Sequence, residues 1–264
     1  MKALRSILFW AIYLAIASFA FSSCNKEKNN SRLTVYLTDA PAAYDAVNIE
    51  IIRMEIKATS DEGENGWQEL PLANPGVYNL LDFTNGMDTL LSTVELPAGK
   101  VSQLRLILGT NNSIVVDGTT FPLPLETPSA QTSGLKFNIH AGLVEGVEYK
   151  LWIDFDAARS IVITGNNSYK LKPVIRTFTE ATSGAIKGNV QPSAAQAILY
   201  AISGVDSLSA IPDGVTGDYL IRGVPAGTWN VSADANNGYI DQVVNNVNVT
   251  LGQVTLVDTI QLVQ

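Results

Sequence analysis

The chain of 264 residues is 46% hydrophobic, which is enough apolar material for the cores of two ordinary domains and excludes a largely disordered protein. Its formal charge is −8, and removal of residues 1–23, with two basic and no acidic residues, leaves 15 basic against 25 acidic residues, or −10. An acidic surface repels phosphate backbones, so nucleic acid is not an expected partner. The single cysteine excludes a disulfide within the chain.

The first residues have the layout of a signal peptide. Lys2 and Arg5 precede an apolar run over residues 7–21, which ends at Ser22 and Ser23. A helix that spans a membrane needs about 20 predominantly apolar residues, and this run ends sooner. A basic start, an apolar stretch and small residues at its end are typical of a cleaved secretory signal, so we expect removal of residues 1–23.

Cys24, the only cysteine, follows this cleavage region directly. The segment Phe21-Ser22-Ser23-Cys24 resembles a bacterial lipobox, and the resemblance implies that the Cys24 sulfur carries a lipid. Two or more acyl chains make a stable anchor, so we expect a lipidated tether over residues 24–32, a lipid membrane as partner and a location in the cell envelope. Asn25 favours the outer membrane by analogy with lipoprotein sorting. The alternative is an ordinary secretory signal followed by an incidental thiol.

Apolar residues recur at period two from Leu33 onward, as in Leu33, Val35 and Leu37. Such alternation directs one side of each segment to a core and the other to solvent, which is typical of β-strands. Turn residues separate the segments at short spacing, and that pattern favours a sandwich or barrel. Over residues 78–91 we expect at most short helical turns. The predicted fold class is all-β, with two β-sandwich domains in tandem after a lipoprotein signal peptide.

A domain boundary is predicted near residues 180–184, where small polar residues separate two strand-like stretches. The first domain would cover residues 33–180 and the second residues 184–264. The strand candidates of the second domain are residues 185–191, 196–202, 217–222, 228–234 and the long alternating run 243–262.

Residues for nucleophilic or zinc chemistry are scarce. The one histidine, His140, lies in a strand-like segment, where we interpret it as a residue of the polar face rather than as a catalytic base. One histidine and a cysteine expected to be acylated cannot assemble a zinc site of common composition. Gly99-Lys100 lacks the flanking residues of a phosphate-binding loop. We therefore expect no enzyme, no cofactor and no metal.

Carboxylates are the remaining candidates for chemistry. Asp154 and Asp156 are two residues apart, so on a strand they share one face while Phe155 lies on the other. Such a pair could bind a hard cation or serve as the acid and base of a glycosidase. The alternative is that both line a solvated face or pair with Arg159 and nearby lysines.

Two other acidic segments have a structural interpretation. Asp39 precedes Ala40-Pro41, and we expect it to accept hydrogen bonds from the backbone amides of the following turn. Residues 61–66 superficially resemble a calcium loop, but Gly63 and Leu72 occupy its third and twelfth positions, so an acidic turn is the better interpretation.

Exposed aromatic residues would be the stacking platforms of a sugar site. Trp152, Trp229 and Tyr219 fall in alternating strands, and we expect them in the core. Trp67 and Tyr239 lie beside turns and could be exposed. These two residues, with the aspartate pair described above, are the candidates for ligand binding.

Several segments of the first part carry a resemblance to a known family. One strand ends in Leu37-Thr38-Asp39-Ala40-Pro41, and Tyr44-Asp45-Ala46-Val47-Asn48-Ile49 opens the next. Further matching segments are residues 133–136, 152–160 and 172–176. The chain resembles the bacterial lipoprotein family called domain of unknown function 4382 over about residues 31–180. The resemblance implies a fold and an envelope location, and no activity.

Residues 217–231 carry a second resemblance. Tyr219 and Ile221 alternate inward on one predicted strand, Trp229 and Val231 do so on the next, and residues 223–227 connect them. Over about residues 184–264 the chain resembles a carboxypeptidase-regulatory-like domain, a transthyretin-like sandwich often grouped with carbohydrate-binding-like folds. Such domains are commonly spacers or add-on modules, and sugar binding would follow only by fold analogy.

Three functional hypotheses follow. The first is a non-catalytic cell-envelope lipoprotein with a binding or adhesion role, whose ligand would be a glycan or a protein. The second is a carbohydrate-binding module of a surface glycan system. The third is a carboxylate-dependent glycosidase or metal-binding protein that uses Asp154 and Asp156.

Overall fold

A computed structural model describes residues 30–58, 66–165, 168–180 and 182–264. The predicted signal peptide, Cys24 and most of the acidic turn of residues 61–66 lie outside the described residues, as does the side chain of His140. The predicted all-β fold is confirmed, with several sheets and only short helices.

The strands that precede Gly184 form the N-terminal region. Within the described residues they are β1 (Asn30–Ala40), β2 (Ala46–Ala58), β3 (Trp67–Leu70), β4 (Gly76–Asn79), β5 (Thr89–Pro97), β6 (Gly99–Leu108), β7 (Ser113–Val116), β8 (Thr119–Pro122), β9 (Leu135–Leu143), β10 (Glu148–Asp156), β11 (Ile161–Thr164), β12 (Ser168–Leu171) and β13 (Ile175–Phe178).

One sheet of this region has the order β13-β10-β1-β5. Its central strand β1 runs parallel to β10 and antiparallel to β5, so a crossover through the second sheet separates β1 from β10 in sequence. The second sheet has the order β8-β7-β2-β6-β9, and β3 and β4 also pair with the long strand β2. The strands β11 and β12 form a separate hairpin.

A common core joins these two sheets. Leu33, Val35 and Leu37 of β1 are fully buried, as the period-two pattern predicts, and they belong to one cluster with Ile49 and Ile51 of β2. Large aliphatic side chains dominate this cluster. Burial of each such side chain contributes about 1.5–3 kcal/mol to folding.

The helices in the described residues are short. They are α1 (Ser129–Thr132), α2 (Ala157–Ser160) and two 3-10 turns, Leu80–Phe83 and Ser193–Ala195. The first 3-10 turn confirms the prediction of short helical turns over residues 78–91. None of the described helices has the length and apolar character needed to cross a membrane.

The C-terminal region contains the strands β14 (Gly184–Gln191), β15 (Ile198–Ser203), β16 (Asp206–Ala210), β17 (Asp218–Val224), β18 (Gly227–Asp234), β19 (Gln242–Val249), β20 (Val254–Leu256) and β21 (Ile260–Gln261). One sheet has the order β17-β14-β20, with β21 also paired to β14, and the other has the order β16-β15-β18-β19. A separate hydrophobic cluster lies between them, with Tyr219 and Trp229 as its largest members.

One strand prediction in this region is wrong, and one strand has no counterpart among the predictions. The run of residues 243–262 is not one strand, because the turn at Leu251 and Gly252, where the Gly252 φ is +68°, separates β19 from β20, and residues 257–259 separate β20 from β21. The strand β16 was not predicted, since Leu208 and Ala210 are its only apolar residues and its alternation is weak.

Candidate functional site

Asp154 lies in β10 on the face of the sheet opposite the core. As predicted, Asp154 and Asp156 lie on the same face of β10. Phe155 between them points to the opposite face, where it is fully buried in the N-terminal cluster. Asp154 is only 3% exposed, so the expectation of a solvated face is wrong for this residue. Its Oδ2 accepts a hydrogen bond from the Nε of Arg176 at 2.5 Å, across the pairing of β10 with β13.

Arg176 connects this buried carboxylate to the C-terminal region. Its two terminal nitrogens donate to the backbone oxygens of Gly223 at 3.0 Å and Arg222 at 3.1 Å. The guanidinium carbon lies 5.3 Å from the centroid of the Phe178 ring, within the range of a cation–π contact. One arginine therefore neutralises Asp154 and holds the end of β17 against β13.

Asp156 has a different role. Its Oδ1 accepts a hydrogen bond from the backbone N–H of Arg159 at 2.9 Å and so caps the first turn of α2. The Arg159 guanidinium lies 3.9 Å from the other carboxylate oxygen. The predicted pairing with Arg159 thus holds for Asp156, whereas Asp154 pairs with Arg176.

A stack of aromatic rings lies beside these contacts between the two regions, which we call the junction. Trp152 lies between Tyr36 and Phe178, with ring centroids 5.3 Å and 5.6 Å away and interplanar angles of 18° and 5°. Its Nε1 donates to the Asp88 carboxylate at 2.9 Å, and Arg222 donates to the same oxygen at 2.7 Å. Trp152 is buried as predicted, but it lies in this stack outside the core cluster of the N-terminal region.

Asn85 forms a further connection between the regions. Its side-chain oxygen accepts from the Leu220 backbone N–H at 2.8 Å, and its side-chain nitrogen donates to the backbone oxygen of Asp218 at 3.2 Å. The amide group therefore pairs with β17 as a neighbouring backbone would. The Gly86 φ is +81°, a conformation that favours glycine, and a Cβ added there would lie 2.5 Å from the end of the Leu220 side chain.

Asp39 lies on the core face at the end of β1. Its Oδ1 accepts from the Ala157 N–H of α2, 118 residues away, at 2.9 Å. A backbone hydrogen bond from the adjacent Ala40 also acts on this carboxyl group, so the expected local bond is joined by a distant one. Its Oδ2 is buried without a partner among the described residues. Burial raises the pKa of Asp39 well above its ordinary value, and the negative charges of Asp154 and Asp156 add to that effect.

Burial also raises the pKa of Asp154, although the positive charge of Arg176 opposes the shift. Carboxylates with raised pKa values are candidates for acid–base chemistry when they face a cleft. Here both are buried in contact with protein groups that position strands. Within the described residues, no group of three or more potential ligands is arranged to hold a metal ion.

The aromatic candidates lie on other elements. Trp67 of β3 is half-buried, and the guanidinium carbon of Arg105 lies 4.3 Å from its ring centroid, with the ammonium groups of Lys57 and Lys136 at 6.0 and 5.9 Å. Tyr239 lies between β18 and β19, half-buried against the C-terminal cluster. The ring of Trp67 thus already contacts protein cations, and that of Tyr239 contributes to packing.

Sequence reasoning missed the residues that join the two regions, which are Asn85, Asp88, Arg176 and Arg222. A local signal exists for the two arginines, since each is a charged residue inside a strand-like segment. Asn85 and Asp88 lie in an ordinary polar turn, and no local pattern marks them.

Comparisons with solved structures show weak likenesses. They include the TIE protein of Bacillus anthracis at 11% identity and TM-score 0.22, a leucine-rich repeat protein from Bacteroides thetaiotaomicron at 13% and 0.20, and GBS52, the minor pilin of Streptococcus agalactiae, at 11% and 0.22. The alignments cover 89%, 88% and 88% of this chain, and 34%, 26% and 96% of those chains. This chain thus spans about a third and a quarter of the first two proteins. At such TM-scores these likenesses indicate neither fold nor function.

A comparison with curated proteins gives no match. The family described as Domain of unknown function (DUF4382) matches residues 30–173, which include both sheets of the N-terminal region except β13. Because this match covers more than half of the chain, the protein belongs to the DUF4382 family.

Proposed function

We propose that the protein is a non-catalytic, lipid-anchored binding protein of the cell envelope. The observation that carries this proposal is the use of Asp154, the best sequence candidate for chemistry, as a structural group. Its carboxylate is bound by Arg176, which in turn binds two backbone oxygens of the C-terminal region. One oxygen of this carboxylate is thus committed to holding the two regions together, and the other, Oδ1, is buried without a hydrogen-bond partner among the described residues, so neither is open to solvent.

The same geometry weighs against a glycosidase pair. In such a pair one carboxyl group donates a proton to the leaving oxygen, and the other acts as nucleophile or base on the sugar. Asp154 is 3% exposed and ion-paired, and Asp156 accepts the N–H of Arg159 as a helix cap. Asp156→Asn retains an oxygen for the cap. If the wild-type protein hydrolyses a glycoside and this variant does not, the non-catalytic role is contradicted.

The carbohydrate-binding alternative depends on the aromatic candidates. Trp67 has Arg105 against its ring, and Tyr239 packs against the C-terminal cluster. These contacts weigh against sugar stacking on either ring, so we place the glycan hypothesis second.

The proposal includes two domains, residues 30–180 and 184–264, and the first begins before the predicted residue 33 because β1 starts at Asn30. Two separate hydrophobic clusters support this division, one from Leu33 to Leu171 and the other from Ile186 to Leu262. We further propose that the second domain has the carboxypeptidase-regulatory-like fold, since Tyr219 and Trp229 are buried between its two sheets as the resemblance implies.

The anchor follows from the sequence around Cys24. Processing after Ser23 would leave Cys24 as the first residue, with its sulfur acylated, and residues 25–29 as a tether. The predicted end of the tether at residue 32 is wrong, because residues 30–32 belong to β1 and pair with β5. The position of Asn25 supports delivery to the outer membrane.

Substitution of the cysteine tests the anchor. We expect wild-type protein to incorporate a palmitate analogue and to fractionate with membranes, and Cys24→Ala to lose both properties. Asn29→Ala, in the same polar tract, is the matched control and should behave as wild type. Normal cleavage of Cys24→Ala together with unchanged membrane fractionation would show that the anchor is not this cysteine.

A further inference from the structure

A cavity of about 210 Å³ lies where the two regions meet. Its wall includes Trp152 and Phe178 of the N-terminal sheet and Ala185, Leu220 and Val254 of the C-terminal sheet, so most of its surface is apolar. Cavities at the interface of two domains, lined by apolar side chains with a few polar groups, are typical ligand sites. An apolar cavity of about 150 Å³ holds benzene in another protein, so the volume here fits one ring.

The aromatic wall presents ring edges. Tyr36 and Phe178 stack on the faces of Trp152, with centroids 5.3 and 5.6 Å away. The Phe178 ring is contacted in turn by the Arg176 guanidinium, and a Cβ on Gly223 would lie 2.5 Å from the ring. Because protein groups contact the faces of both rings, these rings contribute their edges to the wall.

Ring edges select among ligands. An aromatic edge carries partial positive charge and prefers the negative face of another aromatic ring, in an edge-to-face arrangement. A sugar needs an open aromatic face for stacking, which neither ring provides. A saturated ring fills the same volume without a negative face.

A charged group lies at the same wall. Arg222 lines the cavity, is fixed by its hydrogen bond to Asp88, and retains 33% exposure of its side chain. A guanidinium interacts favourably with an aromatic face and with a ligand oxygen. Glu180 and Gln253 add acceptors and a donor at the wall.

We infer that this cavity binds a small aromatic molecule of one ring that carries a polar substituent. The inference rests on the proposed binding role and names the ligand class. The ring lies against the edges of Trp152 and Phe178, with its substituent toward Arg222. Sugars and saturated rings bind more weakly, because they lack a π face.

Phenol and cyclohexanol form a matched pair of probes, since each has a six-membered ring and one hydroxyl group. Titrated into the full-length protein in detergent, phenol should shift the backbone amide resonances of Gly252, Gln253 and Val254 in a saturable manner. Cyclohexanol should require at least a tenfold higher concentration for the same shift. Equal responses to both probes, or no saturable response to phenol, would overturn the inference.

Two valine substitutions supply the variants. Val254→Phe places a larger side chain in the cavity and should abolish the phenol response. Val243→Phe, on β19 away from the cavity, is the control, because the two valines are similarly exposed at 55% and 51%. Equal unfolding midpoints for both variants would show that Val254→Phe is folded, and a retained phenol response in it would exclude this cavity. Membrane fractionation of Cys24→Ala is independent of these results, so failure of the ligand inference is distinguishable from failure of the anchor.

Discussion

The two regions of the molecule fill their cores with different residues. The N-terminal region uses large aliphatic side chains, and the buried charged residues Asp39, Glu55, Lys57 and Asp154 all belong to it. The C-terminal core is richer in alanine and packs Tyr219 and Trp229 among valine, leucine and isoleucine side chains, and within described residues 184–264 no charged side chain is buried. Both regions are β-sandwiches, so the sandwich architecture itself does not require buried charge.

This difference indicates that the buried charges of the N-terminal region hold neighbouring elements in place. A buried charge is costly unless it is paired and hydrogen-bonded, and an apolar residue of similar size is often at least as stabilising. The N-terminal region retains Asp154 where its sheet meets the second region, and Asp39 where β1 meets α2. We therefore expect the N-terminal region and the junction to be sensitive to pH and to single substitutions, and the C-terminal region to be less so.

Removal of the Arg176 side chain should have the largest effect. Arg176→Ala leaves the buried Asp154 without its cation and removes two hydrogen bonds to the C-terminal region. Loss of one partner of a fully buried ion pair costs about 3–5 kcal/mol. Because Asp154 is buried but the Arg176 side chain is 36% exposed, we expect a loss near the lower end of that range. Chemical denaturation followed by tryptophan fluorescence would measure the change in the free energy of unfolding.

Arg159→Ala is the matched control for that experiment. Arg159 also pairs with an aspartate, but its side chain is 71% exposed and the contact is 3.9 Å. Exposed pairs of this kind contribute about 0–1 kcal/mol. Similar losses in the two variants would show that Asp154 and Arg176 do not form the critical pair.

Gly223→Ala tests the junction from the C-terminal side. The Gly223 φ is +66°, and an added Cβ would lie 2.5 Å from the Phe178 ring. Gly204→Ala is the control, since its φ is +61° and nothing lies within 4 Å of the added Cβ. Both variants place an alanine at a positive φ and so share the same kind of backbone strain. Overpacking against Phe178 should therefore make Gly223→Ala less stable than Gly204→Ala by about 2 kcal/mol. Equal unfolding midpoints would mean that the junction tolerates a methyl group.

Asp39→Asn tests the pH dependence of the N-terminal region. The folded pKa of Asp39 lies well above its ordinary value of 3.8, so the folded state binds its proton more tightly than the unfolded state. The stability that this group contributes is complete below pH 3.8 and is lost as pH rises through the folded pKa, with a slope of at most about 1.4 kcal/mol per pH unit. Asp39→Asn should remove this loss and gain stability relative to wild type as pH rises.

Asp213→Asn is a control in the C-terminal region for which the opposite pH dependence of stability is expected. Hydrogen bonds from the backbone amides of Thr216 and Val215 lower the pKa of this exposed carboxyl group. Its contribution to stability is therefore present above pH 3.8 and lost as pH falls through the folded pKa. Thermal unfolding of both variants across pH 3–9 compares the two regions, and parallel curves for Asp39→Asn and wild type would contradict the assignment.

The sequence by itself determined which residues share a face. Period-two alternation placed Leu33, Val35 and Leu37 in the N-terminal core, and Tyr219 and Trp229 in the C-terminal core, because strand geometry alternates side chains whatever the neighbouring strands are. It also placed Asp154 and Asp156 on one face of β10. The all-β fold follows from the same local pattern.

Only the tertiary structure decided what covers each face. Trp152 and Asp154 point away from the N-terminal core, yet both are buried. Trp152 lies between Tyr36 and Phe178 and beside Arg222, and Asp154 is bound by Arg176, which also binds the C-terminal backbone. Arg176 reaches Asp154 through strand pairing, and an amide that binds Asp39 comes from a residue 118 positions away. A local period reports the direction of a side chain, whereas its partner depends on long-range pairing and on the contact between the two regions, which no local pattern encodes.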